Sequence, residues 1–175
     1  FLDGSWLLII FAGNDTTRNT MSGGIKLLHE NQKQKEMLID NLELLPNFIN
    51  ETVRCVSPVI HRRRTSLEEA EINGQKIGPY EKIALWYGSA NRDPDVFEDP
   101  DKFNILRDNA DKHLAFGIGR HTCIGKPVAL MQLQEFYSQF LTRFPDFEMN
   151  GDWKVAPNNF VHAIQEMPIK FSPSK

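Results

Sequence analysis

The chain has 175 residues, 41% of them hydrophobic, with a formal charge of −3 and a pI near 6.0. That is enough apolar material for one core, and the mildly acidic balance gives no reason to expect nucleic acid or an anionic membrane as a partner. Two cysteines, Cys55 and Cys123, exclude a dense secreted disulfide framework and favour a reducing, cytoplasmic setting.

The chain opens on Phe1, and "SWLLIIFAG" reads as the middle of a buried helix, so the sequence is expected to begin inside a larger protein. "WLLIIFAG" (Trp6 to Gly13) is too short to span a bilayer and lacks the basic flank and cleavage pattern of a signal peptide. Helical composition runs from about Leu2 to His29, although Gly13, Gly23 and Gly24 each cost about 1 kcal/mol relative to alanine in a helix. Gly13 beside Asp15 and Thr16 points either to close approach of a ligand to the backbone or to a simple kink.

A polar helix is predicted from about Asn31 to Leu38 and another from about Leu45 to Cys55, with Pro46 suited to a first turn and Pro58 marking the end. Cys55 follows an arginine within that run and reads as inert packing. "EINGQKIGPYEKIALWY" then changes period: Asn73-Gly74 is a hairpin signal and "KIALWY" is strand-like. From Asn91 to Lys112 the richness in Asp, Pro and Asn predicts a long ordered loop. A last helix is expected from about Pro127 to Arg143, and the tail carries two strand-like pieces, "NFVHAI" and "MPIKF". No internal repeat or low-complexity tract is present.

The most informative stretch is "HLAFGIGRHTCIG" (His113 to Gly125). Gly117, Gly119 and Gly125 around Cys123 would permit backbone conformations closed to other residues and allow a flat ligand to approach the main chain. No second cysteine or histidine cluster stands nearby to complete a four-ligand zinc site, so a metal held here needs its other ligands from elsewhere or from a macrocycle. Cys123 precedes a helix, whose N-terminal amides favour a thiolate. A glycine-rich loop with an incidental buried cysteine is the plainer alternative.

Phe116, Gly119, His121, Cys123 and Gly125 fit F-x-x-G-x-[H/R]-x-C-x-G, which resembles the haem-binding loop of a cytochrome P-450. Three further motifs follow the family's order. "AGNDTT" (Ala12 to Thr17) resembles the oxygen-activation groove of the long central helix, and "ETVR" (Glu51 to Arg54) resembles the E-x-x-R motif. "ANRDPDVFEDPDKFNILR" (Ala90 to Arg107) resembles the loop whose terminal arginine joins that pair in bacterial members.

The resemblance implies a mainly α fold with small β sheets (α+β), in which residues 1–175 form the C-terminal portion of a single domain from the central helix onward. It implies haem b (iron protoporphyrin IX), with Cys123 as the iron ligand and a cofactor cradle of Ala12, Gly13, Phe116, Gly117, Gly119, His121 and Gly125. Loop amides are expected to hydrogen-bond the Cys123 sulfur, with Phe116 shielding it. Asp15 and Thr16 match the family's acid–alcohol pair for proton delivery, although in isolation they read as a capping or solvated pair.

Glu51, Arg54 and Arg107 are implied as a structural network; alone, Glu51 and Arg54 would be a solvated helix pair. His121 matches a propionate contact. Arg64 falls where related bacterial sequences place another, although "HRRRT" also offers Arg62 and Arg63, and a solvated basic run competes with the assignment.

Two features qualify the match. "GKPVALMQL" places Leu130 and Gln132 where many bacterial relatives carry Arg and Glu, leaving Lys126 and Arg120 as a basic edge for an acidic ferredoxin. The visible pocket walls, Ile9, Ala12, Gly13, Val59, Ile60 and Phe160 to Ala163, suit a hydrophobic substrate of terpene, sterol or fatty-acyl type. The implied activity is insertion of one atom of O2 into that substrate, with electrons from NAD(P)H through a reductase and ferredoxin. A peroxide-using relative and a non-catalytic haem-binding protein are the alternatives.

Overall fold

The computed structural model describes residues 2–172. α1 (Leu2–Glu30) is one continuous helix of 29 residues, closed by Asn31, whose side-chain amide donates to the Leu27 carbonyl at 2.8 Å. After α2 (Gln32–Asp40) and a 3-10 turn, α3 (Leu45–Val56) starts with Pro46 in its first turn and stops at Ser57, which adopts a left-handed φ of 42°. Leu45, Phe48, Ile49, Thr52 and Val53 are buried along α3, the i, i+3, i+4, i+7, i+8 spacing of a helix with one covered face.

α5 (Lys126–Arg143) crosses the same core with Leu133, Tyr137 and Leu141 buried at spacings of four. Two glycines of α1 explain how closely these helices pack. A Cβ at Gly24 would overlap the Tyr137 hydroxyl, and one at Gly23 would lie 2.5 Å from a Val56 methyl. Tyr137 uses that access to donate its hydroxyl to the Thr20 carbonyl at 2.8 Å, the buried polar group thereby finding an acceptor. Gly23 and Gly24 thus serve helix packing.

The strands form four two-stranded antiparallel sheets. β1 (His61–Thr65) pairs with β4 (Lys82–Trp86), and β2 (Ala70–Ile72) pairs with β3 (Gln75–Ile77) across Asn73-Gly74, both at positive φ (49° and 78°) as a primed hairpin turn requires. A short helix, α4 (Tyr87–Ala90), follows β4. In the tail, β5 (Glu148–Met149) pairs with β8 (Ile169–Lys170) and β6 (Lys154–Ala156) with β7 (Ala163–Glu166).

The mixed fold agrees with expectation: three main helices, the Asn73-Gly74 hairpin and the long ordered loop lie where predicted. Corrections concern the strands. β1 was not expected, because "HRRRT" has no apolar alternation and is held as a strand by its partner β4. "NFVHAI" is strand only from Ala163; before it, Val161 makes an isolated bridge to Val59. "MPIKF" forms only Ile169–Lys170. Among the described residues, no helix is long and apolar enough to cross a membrane.

Candidate functional site

The Cys123 loop is built from backbone hydrogen bonds. The Gly117 amide donates to the Leu114 carbonyl at 2.8 Å, the Cys123 amide to the Phe116 carbonyl at 2.8 Å, and the Thr122 amide to the Gly119 carbonyl at 3.1 Å. Gly117 and Gly119 hold φ of 70° and 69°, which side-chain-bearing residues rarely adopt. A Cβ at Gly117 would also press within 3.2 Å of the His121 carbonyl.

Gly125 departs from expectation: its φ of −82° is open to any residue, and a Cβ there would meet the Cys123 sulfur at 3.8 Å, an ordinary van der Waals contact. Cys123 is exposed, and no hydrogen bond reaches its sulfur among the described residues, so the expected loop-amide contacts are not formed and Phe116 does not cover it. The Phe116 ring instead packs toward the core beside His113, with centroids 5.6 Å apart, and Lys126 Nζ lies 5.5 Å above it. His121 and Arg120 lie on an exposed 3-10 turn. Ile118 and Ile124 flank the sulfur in sequence and are 76% and 98% exposed.

The loop hangs from a buried ionic network. Arg54 grips both oxygens of Glu51, Nε to Oε2 at 2.7 Å and Nη2 to Oε1 at 2.8 Å, while Arg107 Nε reaches the same carboxylate at 3.1 and 3.2 Å. Glu51 and Arg54 are fully buried and Arg107 nearly so. Burial pushes the Glu51 carboxyl up, but the Arg54 hydrogen bond, the Asn104 amide and the charges of both arginines outweigh it and hold the group below the usual carboxylate range.

The remaining guanidinium donors reach loop carbonyls. Arg54 donates to Asn91 and Pro100, each at 2.8 Å, and Arg107 to Asp99 at 3.2 Å and Lys102 at 3.0 Å. These contacts staple α3 to residues 91–107.

Two members of this support carry no signal of their own in the sequence. Asn91 is fully buried; its side chain accepts from the Leu114 amide at 2.6 Å and donates to Ser57 Oγ at 2.8 Å, joining the end of α3 to the base of the cysteine loop. Buried His113 accepts the Ala115 amide at Nδ1, at 3.3 Å, and leaves Nε2 without a partner. Burial first, then the nearby Lys126 charge, lower it to about 4, so the ring is neutral at pH 7. Position within the quoted motifs was the only available clue to either residue.

On α1, Asp15 is half-buried and pairs with Arg18 at 3.4 Å, an exposed-edge contact of small energetic weight. Thr16 donates its hydroxyl to the Ala12 carbonyl at 2.7 Å. Ala12 and Thr16 are four residues apart and share one helix row; Gly13, Thr17 and Met21 form the next. That second row lines an open cleft of about 740 Å³ with Met131, Gln132 and Phe136 of α5. Apart from the neighbouring backbone of α1, no atom of the described residues lies within 4 Å of where a Gly13 Cβ would be. Asp15, Thr16 and Cys123 are outside the cleft's lining.

Of the expected wall residues, those at 59–60 and 160–161 come together, while Ile9, Ala12 and Gly13 lie on the exposed part of α1. The Ile60 amide donates to the Phe160 carbonyl at 3.0 Å, Val59 bridges Val161, and the Phe160 ring stacks on Phe11 of α1 with centroids 5.9 Å apart. Arg64 lies half-buried on β1 opposite Ile83 and donates to the Arg63 carbonyl at 3.1 Å. Cys55 is half-buried beside Glu51 and Arg54, and burial pushes its thiol up to about 12, in keeping with an inert packing residue.

The family model of cytochrome P-450 matches residues 3–171. The chain is 38% identical to linalool 8-monooxygenase of Pseudomonas putida, over 97% of this chain and 42% of that protein. It is 40% identical to steroid C26-monooxygenase of Mycolicibacterium smegmatis, over 96% of this chain and 42% of that protein. Among solved structures, cytochrome P-450-153 from Novosphingobium aromaticivorans superposes with a TM-score of 0.90 at 40% identity, covering 95% of this chain and 43% of the other. The chain thus spans less than half the length of these relatives, and with the family model matched over residues 3–171 and identities of 38–40% along that span, it belongs to the cytochrome P-450 family.

Proposed function

We propose that the complete protein is a haem-thiolate monooxygenase and that residues 1–175 are its C-terminal portion, from the central helix onward. The overall reaction is RH + O2 + two electrons + two protons giving ROH + water. The carrying observation is the exposed Cys123 sulfur, without a hydrogen-bond partner among the described residues and set between the positive-φ glycines and the start of α5. The residues present fit haem: a lone soft donor, apolar Ile118 and Ile124 beside it, and basic Arg64 and His121 for the propionates. Among the described residues no three His, Cys, Asp or Glu side chains cluster as metal ligands, which suits a metal held mainly by a macrocycle.

Haem, when bound, supplies dioxygen reduction and oxygen transfer. Cys123 provides the anionic sulfur ligand, and Gly117 and Gly119 shape the loop that presents it. Ala12 and Gly13 offer backbone with little side-chain bulk on α1. Asp15 holds a carboxylate and Thr16 a hydroxyl on adjacent positions of that helix, and the two would hold and relay protons beside the cofactor once Thr16 leaves the Ala12 carbonyl. Val59, Ile60, Phe160 and Val161 exclude water and favour an apolar substrate.

The named activities of the two relatives, on linalool and on steroids, support a hydrophobic substrate of terpene, sterol or fatty-acyl type. Electrons are proposed to come from NAD(P)H through a reductase and a ferredoxin docking near Lys126 and Arg120, in the cytoplasm.

The test is a carbon-monoxide difference spectrum of the reduced full-length protein, followed by product analysis with a ferredoxin system. A thiolate-type Soret band that vanishes in Cys123→Ser, together with hydroxylated product, is expected. A full-length protein without that band overturns the reading; the band without any product indicates the non-catalytic alternative.

A further inference from the structure

Arg62 is a half-buried arginine without an acceptor among the described residues. β1 alternates its side chains, so Arg62 and Arg64 share one half-buried face while Arg63 and Thr65 point to the exposed side. The Arg62 guanidinium stacks on the Phe160 ring, Cζ lying 4.4 Å from the centroid, and that ring stacks in turn on Phe11, one residue before Ala12. Arg62 therefore stands where β1, the tail and Phe11 of α1 meet, beside the expected wall residue Phe160.

Its Nη1 is buried and has no hydrogen-bond partner, and among the described residues no carboxylate pairs with it. The other buried guanidiniums behave differently: Arg54 and Arg107 each satisfy several donors with Glu51 and loop carbonyls. Leaving a charged donor desolvated and unpaired is costly, and a guanidinium lying on the Phe160 ring keeps its N–H donors available to an acceptor.

We propose that Arg62 binds a carboxylate at the edge of the pocket. A planar fork of N–H donors matches a carboxylate bidentately, which a lysine at the same place would not. Two sources share that chemistry: a haem propionate, or an acid group on the substrate. The assignment rests on the monooxygenase reading for its setting, and the measurements separate the two.

In the full-length holoenzyme, Arg62→Gln removes the charge, and Arg62→Met keeps apolar bulk over Phe160 should glutamine impair folding. Palmitate and hexadecanol are titrated by calorimetry, and haem transfer to apomyoglobin is timed. A substrate carboxylate predicts at least tenfold weaker palmitate binding with hexadecanol and haem transfer unchanged. A propionate predicts at least tenfold faster haem transfer with the palmitate-to-hexadecanol ratio unchanged. Ratio and transfer rate both within twofold of the parent overturn the proposal. A parent lacking the thiolate band in its carbon-monoxide spectrum instead overturns the haem reading, and palmitate calorimetry then still reports on Arg62 alone.

Discussion

Glu51 shows how one side chain can decide whether a loop exists. Its two oxygens receive two guanidiniums and the Asn104 amide at 2.9 Å, all away from water. Removing it leaves Arg54 and Arg107 as buried charges without a counter-ion, a change that costs about 3–5 kcal/mol when one partner of a buried pair is deleted. Glu51→Ala in the full-length protein is therefore expected to lower the denaturation midpoint sharply or abolish soluble expression. Lys102→Ala, which breaks an exposed pair with Asp99, is expected to leave the midpoint unchanged. Equal effects from the two would refute the staple role. Thr16 is expected to behave otherwise: its hydroxyl only caps the Ala12 carbonyl, so Thr16→Ala should leave folding intact while diverting electrons from product to hydrogen peroxide. Unchanged coupling of electrons to product in that variant would remove Thr16 from proton delivery.

At the scale of elements, the glycines of α1 divide by what they face. Gly24 meets Tyr137 and Gly23 meets Val56, whereas Gly13 looks into the open cleft. Gly24→Ala forces Tyr137 off its Thr20 and Met21 acceptors and is expected to destabilise by about 1–3 kcal/mol, the usual range for overpacking. Gly13→Ala meets nothing in this part of the fold and gains about 1 kcal/mol of helix propensity. Urea midpoints of the two full-length variants, measured without haem, should move in opposite directions. Composition alone presented all three as helix-weakening residues, because which neighbour a glycine meets is set by tertiary contacts.

The same limit explains what else was legible. The i, i+3 spacing of Glu51 and Arg54 alone reads as a solvated pair and only the motif resemblance pointed to a network, whereas Asn73-Gly74 was readable from its turn chemistry, which is local. The strand at His61–Thr65 was not, because its three arginines carry no alternation and only pairing with β4 makes it extended. The acceptors that satisfy Arg107 are carbonyls of residues 98, 99 and 102, and backbone atoms leave no trace in residue identity. Cys123 was identifiable by motif, while the exposure of its sulfur and the ordinary φ of Gly125 required the folded loop.

Over the whole molecule, two buried groups at the foot of the cysteine loop make its stability depend on acid. His113 is held at about 4 against an ordinary 6.5, so the native state keeps it neutral while the unfolded chain takes up a proton first. Its contribution is fully present above pH 6.5 and is lost as pH falls from 6.5 toward 4, amounting to about 3 kcal/mol over that window. Glu51 has the opposite charge but acts in the same direction: its depressed carboxyl supports the fold above the ordinary 4.5 and loses that support as pH falls further, through its native value. Acid should therefore weaken the protein in two stages, histidine first. Denaturation midpoints of the full-length protein between pH 7.5 and 4.5 are expected to fall steadily. His113→Phe keeps a ring against Phe116 but cannot titrate, so it should show a constant offset from the lost Ala115 acceptor and a markedly flatter slope. A variant slope equal to that of the parent would show that the early acid loss arises elsewhere, because no other change in this substitution depends on pH.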